Sequence, residues 1–267
     1  MPPSRFAADT AVEALGDGRY AASIHRAWWV AQGPNGGYVA AILLRALNAE
    51  VGDASRPPRS LSIHYLAPPD EGEATVHVAI ERSGRSMTAT SARFVQEGSV
   101  RALALAIHGP SRTGPTFDDA SAPRVPPPDE CPPVPDPPAP IPFKDHWDSR
   151  HGLGSLPGDR AGEAVTGGWI RLLDPQPLDH VVVAAMSDAW PPAMLGRVRE
   201  RALVPTLDLN VHFRVGELPP TDDFCLVRFT SRVAREGYVE EDGEIWSPDG
   251  TLLAQSRQLA LEIQAPG

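Results

Sequence analysis

Two stretches of this sequence carry the same strand pattern, and few folds accept such a duplication. Residues 60–108 open with Ser60-Leu61-Ser62-Ile63-His64-Tyr65, and residues 208–263 open with Asp208-Leu209-Asn210-Val211-His212-Phe213. Both openings alternate apolar and polar residues, the period of a strand with one buried face. A Pro-containing turn follows each. A second alternating segment comes next, Ala74–Arg82 in one copy and Cys225–Ala234 in the other, and Gly84 or Gly237 follows it. The third segment runs to Gln96-Glu97-Gly98 or Pro248-Asp249-Gly250, both glycine turn signals. Ser99–His108 and Thr251–Ile263 close the copies. The pattern predicts two four-stranded antiparallel meanders of like layout.

Each meander is preceded by one apolar helical segment. Gly37–Ala49 is apolar nearly all the way round, with Arg45 and Asn48 as the main exceptions. A helix of that kind must be buried. The second segment is His180–Ala193, with Asp179 as N-cap and Pro191-Pro192 as the stop. Glu163–Leu173 reads as a further strand before it. The class is therefore α+β, with each half a buried helix wrapped by an antiparallel sheet.

Thirteen of the 30 prolines lie between Pro110 and Pro142. Proline fixes φ and lacks an N–H, so this stretch forms neither helix nor inner strand. Extended chain that wraps a surface is the expectation. The expected division is an N-terminal unit at 1–109, a connector at 110–142 and a C-terminal unit at 143–267.

The net charge of -10 disfavours nucleic acid and anionic membrane as partners. No apolar run reaches membrane-spanning length, and the N-terminus lacks a secretory pattern, so a cytoplasmic location is expected. Cys131 and Cys225 make no disulfide framework. Eight scattered histidines form no metal cluster, so no metal or cofactor is expected. A GxSxG nucleophile motif is missing. Gly152–Gly158 has a phosphate-loop look but no lysine and no preceding strand.

Several local sequences resemble the double-hotdog acyl-CoA thioesterases of type II. They are GPNGGYVAAILLRAL (Gly33–Leu47), SARFVQEGSVRALALAIHG, AAMSDAW, PTLDLNVHFR and DGTLLAQSRQLA. Their order and spacing agree with the family together, from about residue 25 to 264. The resemblance implies a double hotdog of two tandem units. It also implies hydrolysis of an acyl-CoA to a free acid and coenzyme A. The family's catalytic trio falls on Asp188, Thr206 and Gln258. One departure lies in the first half, where Leu61-Ser62-Ile63-His64 replaces a histidine-serine pair found in some relatives, so no catalytic histidine is carried over there.

The chemistry of the three residue types suits that reaction. A carboxylate on an apolar helix should have a raised pKa unless donors satisfy it. Asp188 would be the base or water-orienting group, with Thr206 and Gln258 holding the same water. Gly36 and Gly37 would let a thioester oxygen approach the helix N-terminus, and Asn35 would cap the helix or touch ligand. Tyr38, Trp28, Trp29, Met186 and Trp190 are candidate walls for an acyl chain. Arg82, Arg85 and Arg93 are candidates for coenzyme A phosphates. Two other readings keep the fold: a non-catalytic acyl-CoA or lipid-binding protein, and an enoyl-CoA hydratase-like enzyme. Homo-oligomers are expected, since exposed sheet edges favour pairing.

Overall fold

A computed structural model describes residues 3–30, 32–137, 140–198 and 202–264. A short helix, α1 (Arg5–Asp9), precedes the strands β1 (Glu13–Gly16) and β2 (Arg19–Ile24). Helix α2 (Gly36–Val51) leads into β3 (Pro58–Tyr65), β4 (Gly72–Ser83), β5 (Thr88–Gln96) and β6 (Ser99–His108). The second half opens with β7 (Trp147–Gly154) and β8 (Ala164–Leu172), followed by α3 (His180–Met186) and β9 (Ala202–Leu203). It ends with β10 (Thr206–Phe213), β11 (Cys225–Ser231), β12 (Ala234–Arg235), β13 (Tyr238–Trp246), β14 (Leu252–Leu261) and β15 (Ile263–Gln264).

Thirteen of these strands form one sheet, in the order β1-β2-β4-β5-β6-β3-β10-β14-β13-β11-β8-β7 with β12 beside β13. The order reads as two mirrored runs meeting at β3 and β10. Those two strands pair antiparallel, Leu61 with Val211, Ser62 with Asn210 and Ile63 with Leu209. The sequence repeat aligns residue 60 with 208, an offset of 148. Only Ser62 and Asn210 are both aligned by that offset and paired across the seam. They lie on a local two-fold axis. The duplication is thus closed by its own equivalent strands, which covers two sheet edges at once.

Helix α2 starts at the Asn35 cap, whose Oδ1 accepts from the Tyr38 N–H at 3.0 Å. It ends at Gly52, left-handed with φ 62°, as C-terminal glycines often are. Its residues from Gly37 to Leu44, with Ala46 and Leu47, are buried. The polar exceptions find partners. Arg45 Nε donates to Thr10 Oγ1 at 2.8 Å, and Asn48 Oδ1 lies 2.9 Å from His108 Nε2.

Three sequence expectations change. Helix α3 stops at Met186, before the prolines. Ser187 turns the chain, its Oγ donating to the Ala184 carbonyl at 2.6 Å, and Asp188 leaves the helix. The sheet also runs beyond the expected strands, because β1, β2 and β7 extend it; β8 is the strand expected at Glu163–Leu173. In the second copy, the segment expected as Cys225–Ala234 is broken: β11 ends at Ser231 and β12 restarts at Ala234.

The proline-rich stretch contains no strand or helix from Pro110 to Ile141 among the described residues, apart from an isolated bridge at Pro133. It lies on the second half, as expected of a wrapping segment. Trp169 Nε1 donates to the Pro126 carbonyl at 2.8 Å, and the Val134 N–H donates to the Ser149 carbonyl at 2.8 Å. Ala122 and Val125 pack on Leu226, Trp246 and Leu252.

Candidate active site

The two helices meet end to start. The chain leaving α3 carries Asp188 to the N-terminus of α2, where amide hydrogens lack helical partners. Asp188 Oδ2 accepts from the Gly37 N–H at 3.1 Å and from Asn35 Nδ2 at 3.1 Å. Asn35 Nδ2 also donates to the Asp188 carbonyl at 2.7 Å. Asn35 therefore caps α2 with its oxygen and fastens Asp188 with its nitrogen.

The other oxygen, Oδ1, faces the sheet. Thr206 Oγ1, at the start of β10, stands 3.5 Å from it, a long approach. The same hydroxyl donates to Gln258 Oε1 on β14 at 3.0 Å. Gln258 Nε2 donates to Glu241 Oε1 on β13 at 2.8 Å, and Glu241 Oε2 accepts from the Ala193 N–H at 2.6 Å. Sequence positions 35 to 258 thus converge on one polar chain.

Burial raises the Asp188 carboxyl to about 6, against the lowering effect of the Gly37 and Gly36 amides, Thr206 and Asn35. The group keeps partial access to solvent. Burial likewise pushes Glu241 up to about 7, with the Ala193 N–H and Gln258 opposing and Asp188 adding to the rise. Tyr65, whose hydroxyl donates to the Gly36 carbonyl at 2.8 Å, is pushed well above the usual tyrosine range by burial and by Asp188.

The glycines are explained by the crowding here. A Cβ on Gly36 would stand 2.8 Å from Asp188 Oδ2 and 3.2 Å from the Tyr65 hydroxyl. A Cβ on Gly37 would run into the Ala185 carbonyl. Gly36→Ala should therefore push the Asp188 carboxylate out of position. Misplacement of this order costs up to about 100-fold in rate. Steady-state kinetics of the variant, with circular dichroism to confirm its fold, measures the effect.

Sequence profiles of the acyl-CoA thioesterase N-terminal and C-terminal domains match residues 25–109 and 128–261. The chain belongs to the acyl-CoA thioesterase family. A hot dog fold protein of unknown function from Alicyclobacillus acidocaldarius is 26% identical, with a TM-score of 0.91 over 100% of both chains. Acyl-CoA thioesterase II TesB2 from Mycobacterium marinum is 25% identical, with a TM-score of 0.78 over 98% of this chain and 99% of that one. No curated protein sequence matches the chain. The double hotdog expected from the sequence is the fold that this thioesterase-family chain adopts.

Asp188, Thr206, Gln258, Asn35, Gly36 and Gly37 are brought together in this family member. Tyr38 is not. Its ring is fully buried, stacked on Trp28 with centroids 5.1 Å apart, and its hydroxyl donates toward the Asp9 carbonyl at 2.8 Å. Trp28, Trp29, Met186 and Trp190 are also core, and Trp190 Nε1 is held by Thr166 Oγ1 at 3.0 Å. Gly37 differs from expectation in another way: its N–H is committed to Asp188 rather than open to a substrate oxygen. Arg82, Arg85 and Arg93 are all exposed. Among the described residues no helix is long and apolar enough to cross a membrane, and no group of three or more His, Cys, Asp or Glu could hold a metal ion.

Glu241 was not singled out in the sequence. It sits in the acidic run Glu240-Glu241-Asp242, which reads as solvated surface. The signal was its phase. In β13, Val239, Glu241, Gly243 and Ile245 all face inward, so a carboxylate occupies an inward position of an alternating strand.

Proposed function

We propose that this chain hydrolyses an acyl-CoA thioester to a free acid and coenzyme A, using a water aimed by Asp188, Thr206 and Gln258. The observation that carries this reading is the unequal treatment of the two Asp188 oxygens. Oδ2 is saturated by Asn35 and Gly37. Among the described residues Oδ1 has one close side-chain approach, the long one of Thr206, and the Gly36 amide also acts on the carboxyl. It is the oxygen left to take a proton from water. The hydroxyl hydrogen of Thr206 is spent on Gln258, so a lone pair on its oxygen can accept the second water proton. A water that donates to both keeps its oxygen lone pairs free, and one of them can point at the thioester carbon. A thioester is already activated, so aiming and general-base help suffice, and no covalent intermediate is needed.

A carboxyl near 6 is well suited to this role, being ionised at neutral pH yet a better base than an ordinary aspartate. Protonation removes the base, so kcat/KM should fall as pH drops through about 6 and level off above it. Glu241, near 7 and coupled to Asp188, belongs to the same titration and broadens the limb. A pH–rate profile of the wild-type protein checks this; a flat profile between pH 5 and 8 contradicts it.

The test of the reaction itself is release of coenzyme A thiol from acyl-CoAs of increasing chain length. Turnover with at least one length supports hydrolysis. Tight binding of acyl-CoA with no thiol released would make the chain a binding protein instead.

A further inference from the structure

The duplicated sheet contains its own comparison for the buried carboxylate of Glu241. Because β3 and β10 are equivalent, the strands beside them can be matched row by row. In the second half, one row runs from Leu209 through Gln258 to Glu241. In the first half, the equivalent row runs from Leu61 through Ala106 to Thr90. Where the glutamine is replaced by alanine, the glutamate is replaced by threonine. Thr206 likewise corresponds to Pro58, which pairs with His108 as Thr206 pairs with Ala260. The sheet therefore packs at this row without any carboxylate. Glu241 is not required by the fold as such; it accompanies Gln258.

The bonding explains why. An amide side chain can be turned either way, since oxygen and nitrogen have the same size. Thr206 needs an acceptor from it. Glu241, as carboxylate, can only accept. Its Oε1 takes a hydrogen from Gln258 Nε2, which obliges the Gln258 oxygen to face Thr206. Its Oε2 is fixed in turn by the Ala193 N–H, at the start of the short turn Ala193–Gly196 that follows the Asp188 loop. Glu241 is 6% exposed, so its carboxylate is held by protein donors at this face.

We infer that Glu241 is a positioning residue, which locks the Gln258 amide so that its oxygen orients Thr206 and, through Thr206, the attacking water. This rests on the assignment of Asp188, Thr206 and Gln258 to hydrolysis. Its two carboxylate contacts are with Gln258 and the Ala193 N–H, so it acts through Gln258.

Two variants test it. Glu241→Thr installs the residue that the first half tolerates at this row. Glu241→Gln keeps the shape but can accept at only one of the two contacts. If its oxygen stays on the Ala193 N–H, its amide hydrogens face those of Gln258, and Gln258 must flip. Both should lower kcat by up to about 100-fold, as misaimed reactants do, with KM within about twofold of wild type. The second readout is the side-chain amide of Gln258 in 15N NMR, assigned by its disappearance in Gln258→Ala. Its resonances should move in both variants, because the acceptor for Nε2 is lost or reversed. Wild-type kcat in either folded variant, or a loss of kcat with the Gln258 amide unmoved, overturns the inference. Asp188→Asn is assayed alongside. If Asp188→Asn is inactive and the Glu241 variants are fully active, only the positioning role fails. If Asp188→Asn is fully active, the assignment beneath it fails.

Discussion

Asp188→Asn should lose about 100- to 10,000-fold in kcat, the contribution of a positioned general base, and should be more stable than wild type above pH 7. The substitution is nearly isosteric. The asparagine oxygen can take the place of Oδ2 among its donors, Asn35 and the Gly37 N–H. The amide nitrogen then faces Thr206 Oγ1, which can accept. What is removed is the charge. The folded-state carboxyl is raised to about 6, from about 4 in an unfolded chain. Between those values the folded protein holds a proton that the unfolded chain has released. The relative stability this gives is fully present below about 4 and lost as pH rises through about 6. Above that, the buried charge is a net cost. Removing it should stabilise by up to about 3 kcal/mol at pH 8, since a tenfold change in acidity corresponds to about 1.4 kcal/mol. Below pH 4 the gain should vanish. Urea denaturation of both proteins at the two pH values measures it.

Leu209→Ala should cost about 2–5 kcal/mol, a large part of the roughly 5–15 kcal/mol that holds a domain folded. Leu209 is fully buried on β10, paired with Ile63 across the seam and with Gln258 on the other side. Truncation leaves a cavity at the junction of the two halves, beside the amide of the candidate site. It should therefore lower kcat as well. Leu61 is the control. It is equally buried and occupies the equivalent row, but its neighbours are Val211 and Ala106. Leu61→Ala should be as destabilising and leave kcat near wild type at a temperature where both variants are folded. Equal kcat losses in the two would separate neither residue from the site. Denaturation midpoints with kcat for each variant decide it.

The main strands were legible because they alternate, and the duplication fixed which of them meet. Ser62 and Asn210 lie on the two-fold axis because a symmetric repeat leaves few other ways to join. Strands β1, β2 and β7 were not legible. All four residues of β1 are exposed, only Trp147 in β7 is buried, and β2 is rich in alanine and serine, so none has a strong strand signature. The end of α3 was misplaced because Pro191-Pro192 is a louder stop signal than Ser187. What ends the helix is a side-chain bond from Ser187 and the pull of Asp188 toward Asn35, a residue remote in sequence. The same non-local logic applies to the site. Residue types at 188, 206 and 258 could be read, but the partner of each carboxylate oxygen could not. The helix-opening glycines looked like an oxyanion hole; the Gly37 N–H donates to Asp188, and a Cβ on Gly36 would crowd that carboxylate. Glu241 was hidden by its acidic neighbours, although its inward phase in β13 was readable.

Direct attack by an aimed water leaves an isotopic record in the acid product. A single-turnover reaction in ¹⁸O-labelled water, with enzyme in excess over acyl-CoA, tests it most directly. Direct attack gives thiol release with one ¹⁸O in the acid formed in that first turnover, and no label in the protein. Incorporation of ¹⁸O into the carboxylate of Asp188, with unlabelled acid released first, would show a covalent route and contradict it.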